Sequence, residues 1–100
     1  MHARVSTITL DPAKLDDVVS QLEGEDLDKL KATDGFRAMT MVVDRSSGKG
    51  IATTYWDSEE AMKAAEQIGD ETRRRAAETG GAGEEPQVER FEVAINTFAG

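Results

Sequence analysis

The chain begins with a short segment rich in β-branched residues, and a helical repeat of apolar residues follows it. Residues 4–10 (RVSTITL) have the length and composition of a strand. Asp11 and Pro12 then suit a helix start, because the Asp side chain accepts from free amides and the proline loses no hydrogen bond. Leucine or valine recurs at positions 15, 18, 19 and 22, the spacing of one apolar helix face. The pattern predicts a strand and a helix, and Gly24 is expected to interrupt or bend that helix.

The middle of the chain predicts a hairpin. Residues 36–44 (FRAMTMVVD) and 50–56 (GIATTYW) have strand composition and flank the turn sequence RSSGKG. In the first of these strands both alternating sets of side chains are apolar or nearly so. Such a strand requires cover on both faces.

A second helix and a last strand complete the pattern. The helix is predicted to start at Asp57 or Ser58, because Asp57 and Glu60 have the spacing of a reciprocal capping box. Residues 78–86 (ETGGAGEEP) predict an acidic connector, and residues 88–98 (VERFEVAINTF) predict a long strand. The helix has a narrow face of apolar and small residues, which favours close approach to a sheet: Met62, Ala65, Ile68, Gly69 and Thr72.

The element order βαββαβ is that of the ferredoxin-like α+β fold, an antiparallel four-stranded sheet with two helices on one face. Two helices leave the other face of the sheet uncovered. We therefore expect a homodimer in which two such sheets pack face to face as a dimeric α+β barrel. Residues 1–100 are expected to form a single domain, because a chain of this length supports one core.

Composition narrows the chemistry. A net charge of −8 disfavours nucleic acid as a partner, because a phosphate backbone is repelled at long range. The chain has no cysteine and its single histidine is His2, so we expect no metal centre and no Ser-His-Asp triad. No apolar run approaches the length of a membrane span, and the first ten residues do not have the pattern of a secretory signal. A cytoplasmic protein without membrane contact is predicted.

Residues 34–66 (DGFRAMTMVVDRSSGKGIATTYWDSEEAMKAAE) contain eight residues at a characteristic spacing: Gly35, Phe36, Asp44, Gly48, Trp56, Ser58, Glu60 and Ala61. This stretch resembles the antibiotic biosynthesis monooxygenase-like family of dimeric α+β barrels. The family includes cofactor-independent oxygenases of aromatic polyketides and haem-degrading enzymes. Haem-degrading members resemble a pattern of Asn, Trp and His that falls here on Ser6, Ala65 and Arg75, so the resemblance disfavours haem and implies no cofactor.

The resemblance also implies site residues. Cofactor-independent oxygenases of this kind surround a phenolic substrate with Asn, Trp, Tyr and Arg in a pocket between sheet and helices. By this resemblance Tyr55 and Asn96 are the catalytic candidates, and Ser6, Trp56 and Arg73 are the candidates for binding a small aromatic ligand.

Each candidate also has a structural interpretation. Trp56 suits a packing plug whose indole N–H donates to a backbone carbonyl, and the Ser6 hydroxyl suits a bond to the neighbouring backbone. Tyr55 alternates with Trp56, which favours the opposite sheet face at the dimer contact. Arg73 belongs to a run of three arginines that suits a solvated set balancing acidic neighbours, and Asn96 suits a polar line inside a dimer interface.

Three function classes follow. The first is a cofactor-independent monooxygenase, in which a phenol or quinol supplies its own electrons to oxygen and the protein orients and deprotonates it. The second is a non-catalytic small-molecule binder, favoured by the shortage of titratable pocket residues. The third is a structural dimeric barrel that serves a larger assembly.

Overall fold

Four strands lie in the part of the chain that the computed structural model describes, residues 1–98. They are β1 (His2–Thr9), β2 (Phe36–Val43), β3 (Lys49–Trp56) and β4 (Gln87–Glu92), joined in one sheet in the order β2-β3-β1-β4. Every neighbouring pair is antiparallel. The predicted ferredoxin-like α+β fold is confirmed, with the helices on one face of the sheet.

The helices begin where the sequence places capping side chains. Asp11 accepts from the amide of Ala13 at 2.9 Å and opens a 3₁₀ turn, which α1 (Leu15–Gln21) continues. Ser58 accepts from the amide of Ala61 at 3.1 Å, and α3 (Glu59–Ala64) follows. A side-chain oxygen at each start satisfies an amide that has no partner within the helix.

Gly24 interrupts the first helical segment, as predicted. Its backbone (φ −88°, ψ −118°) is non-helical and lies within the wide turn Leu22–Asp26, after which α2 (Leu27–Lys31) resumes the helix. Asp26 is 1% exposed in this turn and accepts from Arg75 Nη1 at 2.7 Å. This ion pair ties the interruption to the last long helix, α4 (Glu66–Thr79).

Two predicted details are wrong. The observed cap of α3 is Ser58 rather than an Asp57 capping box, and the Asp57 carboxylate instead lies 3.3 Å from Arg37 Nη1. The last strand was predicted to reach residue 98, but β4 ends at Glu92. Antiparallel pairing places Glu92 opposite His2, the first residue of β1, and the Met1 carbonyl accepts one further bond from the Val93 amide at 2.9 Å.

The two faces of the sheet differ in burial. On the helix side lies a core that includes Ile8, Leu10, Met39 and Met41, packed against Leu15, Val18 and Leu22 of the first helical segment. On the other side Val42 is 60% exposed and Phe91 is 49% exposed. The prediction that β2 is apolar on both faces is confirmed, and within residues 1–98 the helices cover only one of those faces. No helix within residues 1–98 has the length and apolar character that a membrane crossing requires.

Candidate functional site

A cavity of about 60 Å³ lies between the sheet and the helices. Most of its wall is apolar, from residues that lie in or directly after the strands and α1: Ile8, Leu10, Val18, Leu22, Met39 and Met41. The polar wall lies where Arg4 of β1 pairs with Thr54 of β3 and faces α4. It also contains Ser6, Thr72 and Arg73. The cavity thus joins an apolar body to one polar, cationic end.

Arg4 is the most buried charged residue of this wall, with 2% of its surface exposed. Its Nη2 donates to the Met62 carbonyl at 2.6 Å and to Glu66 Oε2 at 2.7 Å. The guanidinium carbon lies 5.9 Å from the centre of the Trp56 ring, within the range of a cation–π contact. Its Nε is buried without a hydrogen-bond partner.

Glu66 gathers three guanidinium groups around one carboxylate. Besides Arg4, it pairs with Arg90 of β4, and Arg73 Nη2 lies 3.8 Å from its Oε1. Arg73 also pairs with Asp70, which follows Glu66 by one turn of α4. Three guanidinium groups and two carboxylates leave one positive charge in excess.

The Arg4 pKa reflects this crowding. Burial lowers the pKa most, the Glu66 carboxylate raises it, and the charges of Arg73 and Arg90 lower it again. A guanidinium still keeps its proton near neutral pH, because its ordinary pKa is very high. The positive charge is therefore permanent but incompletely compensated.

Gly69 makes room for the Arg4 guanidinium. A Cβ at this position of α4 would lie 2.4 Å from Arg4 Nη1 and 3.1 Å from Arg73 Nη1. The absent side chain lets α4 pass directly over the charged end of the cavity. This explains the small-residue face that the sequence predicts at Gly69 and Thr72.

Ser6 and Arg73, two of the ligand-binding candidates, both line the cavity, and their binding of a ligand stays a prediction. Trp56 is fully buried beside it, with its ring packed edge-on against Phe36 at 5.3 Å between centres. Its indole N–H donates to Thr54 Oγ1 at 3.1 Å, not to a backbone carbonyl as predicted. Thr54 lines the cavity and Trp56 does not. Trp56 therefore acts on the wall indirectly, by holding the Thr54 hydroxyl in place.

Tyr55 and Asn96 are not brought to the cavity. Tyr55 points to the opposite sheet face, where its ring packs against Phe98 with 4.8 Å between centres. Asn96 lies beyond the end of β4, is exposed, and accepts from the Phe98 amide at 3.2 Å. A catalytic role for either residue stays a prediction, and the geometry of one chain gives it no support.

Sequence reasoning missed Arg4, Glu66 and Gly69 as parts of one site. One signal was available: Arg4 alternates with Ser6, Ile8 and Leu10, so it stands on the core face of its strand. An arginine on a core face requires a partner. Nothing in the sequence identifies that partner as Glu66, which is 62 residues away. Among the described residues, no group of three or more His, Cys, Asp or Glu side chains is placed to hold a metal ion.

Comparison with solved structures supports the fold. The crystal structure of a monooxygenase from the gene ActVA-Orf6 of Streptomyces coelicolor, in complex with nanaomycin D, superposes with a TM-score of 0.78 over 99% of this chain and 92% of that one. The two sequences are 18% identical. SnoaB, a cofactor-independent oxygenase from Streptomyces nogalater, superposes with a TM-score of 0.67 over 95% and 94% of the chains at 15% identity. This chain has the antibiotic biosynthesis monooxygenase fold. The resemblance carried by residues 34–66 is thereby confirmed at the level of fold.

The relatives found by sequence are longer proteins. The chain is 33% identical over 94 residues to the uncharacterized protein Rv2557 of Mycobacterium tuberculosis (strain H37Rv), and 34% identical over 77 residues to Rv2558 of that strain. These matches cover 94% and 77% of this chain but 41% and 33% of those proteins. The chain therefore spans about two-fifths of the length of the first relative. No family model matches the sequence.

Proposed function

We propose that this protein is a cofactor-independent monooxygenase that acts on a small phenol or quinol. The observation that carries the proposal is the apolar cavity that ends on Arg4 and Arg73. Such a wall suits an aromatic ring on one side and an oxygen substituent on the other. The monooxygenase fold of the structural neighbours supports the same reaction class, as an analogy of fold.

The reaction requires little of the protein. A phenolate carbon para to the oxygen forms a bond to O₂, and loss of water from the resulting peroxide gives the quinone. One phenol and one O₂ thus yield one quinone and one water, with all four electrons supplied by the substrate. The protein's part is to hold the ring, favour the ionised oxygen and exclude water, because preorganised charges are strongest in a dry site.

The cavity as it stands is smaller than the roughly 300–1,000 Å³ of most ligand sites. A neighbouring groove of about 260 Å³ shares Leu22, Met39 and Met41 with it, below the Gly24 interruption. Methionine side chains are unbranched and adapt readily to a new neighbour. Rotation of Met39 and Met41 would join the two spaces, and we propose that a ring system enters by this route.

The test is oxygen uptake with a panel of phenols, naphthols and hydroquinones, without added flavin, nicotinamide or metal. We expect uptake with at least one compound and a product that has gained one oxygen atom and lost two hydrogen atoms. Arg73→Gln should abolish most of the activity, whereas Arg74→Gln removes the same charge from an exposed position on α4 and should leave it. Uptake by no compound would refute the proposal.

A non-catalytic binding function is the second candidate. Arg4 and Arg73 are the only ionisable residues in the cavity wall of the described chain, and neither is a proton acceptor. A protein that only binds would show saturable ligand binding without oxygen uptake. Binding and uptake measured on the same compounds separate the two functions.

We also propose that the exposed sheet face is covered by a second copy of the chain. Val42 and Phe91 stand exposed on that face, with Ile51 and Tyr55 beside them on β3. Such a face covers itself in a two-fold pair without a second kind of partner. Light scattering should give a dimer mass, and Val42→Glu should shift it to a monomer. Gln67→Glu adds the same charge to the exposed side of α4 and should not. A monomer mass for the unmodified chain at micromolar concentration would refute this proposal.

A further inference from the structure

We propose that Met39 and Met41 are sites of modification by hydroperoxides, and that their oxidation to sulfoxides closes the route by which a ring system enters the cavity. The closing of the route rests on the small-molecule function proposed above, whereas the reactivity of the two thioethers does not. The inference assigns to β2 a response to peroxide that acts on access to the cavity.

The first argument is the position of the two side chains. Met39 and Met41 lie on the core face of β2, two residues apart, and both line the cavity and the neighbouring groove of about 260 Å³. Both are half-buried, so part of each side chain stays within reach of a small solute. Because the chain has no cysteine, its thioethers are the sulfur groups that a peroxide can oxidise.

Met62 provides an internal contrast. It is 1% exposed, packs in a cluster with Leu30 and Trp56, and lines neither the cavity nor the groove. Its side chain has the same chemistry as those of Met39 and Met41. Access alone distinguishes it from them, so it reports what a peroxide does to a sealed methionine of the same protein.

The chemical step is a two-electron oxygen transfer. The thioether sulfur attacks the terminal oxygen of a hydroperoxide, the O–O bond breaks, and the proton of that oxygen passes to the departing oxygen. One thioether and one hydroperoxide thus yield one sulfoxide and one alcohol, or water where the oxidant is hydrogen peroxide. The reaction proposed above forms a hydroperoxide on the substrate carbon, in the space that Met39 and Met41 line. A hydroperoxide from solution supplies the same oxidant.

A sulfoxide changes the character of the entry route. The reaction turns a flexible apolar side chain into a polar one, whose new oxygen accepts hydrogen bonds. Among the described residues that line the groove, Glu23 is the only one with a polar side chain, and its ionised carboxylate also only accepts. An oxidised Met39 or Met41 therefore finds no donor side chain in the groove. Its oxygen must stay toward solvent, because a buried polar group without a partner is unfavourable, and this opposes the rotation that joins the two spaces.

The first experiment treats the folded protein with hydrogen peroxide and follows oxygen uptake into its peptides by mass spectrometry. Trypsin releases residues 38–45, which contain Met39 and Met41, and residues 50–63, which contain Met62. We expect the first peptide to gain oxygen about tenfold or more faster than Met62, because oxidation follows exposure. Circular dichroism confirms that the protein stays folded during treatment. Equal rates, or no gain of oxygen in residues 38–45, would overturn the inference.

The second experiment measures access, by calorimetric titration of 2-naphthol under nitrogen before and after peroxide treatment. We expect the affinity to fall about tenfold, the effect of one polar group without a partner in an apolar wall. The double variant Met39→Leu/Met41→Leu should have the same affinity before and after treatment, since leucine has a similar volume and carries no sulfur. Met62→Leu, the matched control, should keep the fall. A fall that persists in the double variant, or no fall in the unmodified sequence, would contradict the closing of the route.

The outcomes separate this inference from the oxygenase proposal. Oxidation of Met39 and Met41 by added peroxide, in a protein that takes up no oxygen with any phenol, supports the modification site and refutes the oxygenase. Oxygen uptake by a protein whose residues 38–45 resist added peroxide refutes the modification site and leaves the oxygenase standing. A protein that binds no 2-naphthol in either state refutes the closing of the route and leaves the modification site standing.

A further arm identifies the source of the hydroperoxide. The protein is incubated in air with a phenol that it oxidises, without added peroxide and with catalase, which destroys free hydrogen peroxide. Oxidation of Met39 and Met41 under these conditions shows that the oxidant forms in the cavity. Oxidation by added peroxide alone shows that the oxidant comes from solution.

Discussion

Substitution of Gly69 by alanine tests the packing of the cationic end of the cavity. In a helix interior this change ordinarily stabilises a protein by about 1 kcal/mol, because glycine has the larger conformational entropy to lose. Here the new Cβ would lie 2.4 Å from Arg4 Nη1 and 3.3 Å from its Cζ. A Cβ does not approach a nitrogen atom as closely as 2.4 Å in folded proteins, so the Arg4 guanidinium must move.

The structure limits how far Arg4 can move. Its side chain is buried, and its Nη2 is held by the Met62 carbonyl and by Glu66. Overpacking a site of this kind costs about 1–3 kcal/mol, and a weakened charge-assisted hydrogen bond adds about 1–2 kcal/mol. Against the helix gain of about 1 kcal/mol, we expect Gly69→Ala to destabilise the protein by about 1–4 kcal/mol.

Urea unfolding followed by circular dichroism measures the change, and the melting temperature should fall by about 4–8 °C per kcal/mol for a chain of this size. Arg4→Met provides the matched background, because it removes the guanidinium that the Cβ meets. In that background Gly69→Ala should be neutral or stabilising by up to about 1 kcal/mol. A Gly69→Ala protein as stable as the unmodified one, or the same loss in both backgrounds, would refute this reasoning.

Three further predictions follow from single contacts. Trp56→Phe should cost about 1–3 kcal/mol in urea unfolding, because it leaves a buried space and a hydroxyl without its donor; an unchanged midpoint would contradict the packing role. Gly48→Ala should cost about 3 kcal/mol or more, since Gly48 has φ +81° and a Cβ there would lie 1.8 Å from the Leu10 carbonyl oxygen. The amides of Ser46 and Ser47 donate to the Asp44 carboxylate and lower its pKa. The carboxylate therefore stabilises the folded protein above about pH 4, and this stabilisation is lost as the pH falls further. Asp44→Asn should weaken this acid dependence in pH-dependent unfolding, and an unaltered pH profile would exclude Asp44 as its source.

The sequence by itself determined the elements and their faces. Strand alternation placed Ser6 with Ile8 on the core side and Tyr55 opposite Trp56, because successive side chains of a strand point to opposite faces. Asp11 and Gly24 marked a helix start and an interruption through local backbone chemistry. These features depend on residues within about one helical turn of each other. They can therefore be predicted from the local sequence.

Only the tertiary structure decided which distant residues meet. The register that pairs Glu92 with His2 comes with a β4 that ends at Glu92, and the run of strand-forming residues up to Phe98 does not reveal it. Arg4 meets Glu66 across 62 residues because α4 crosses the sheet at Gly69, where no side chain holds it away. The excess charge of the site arises from this crossing, since burial and proximity, rather than residue type, set how strongly charges act on one another.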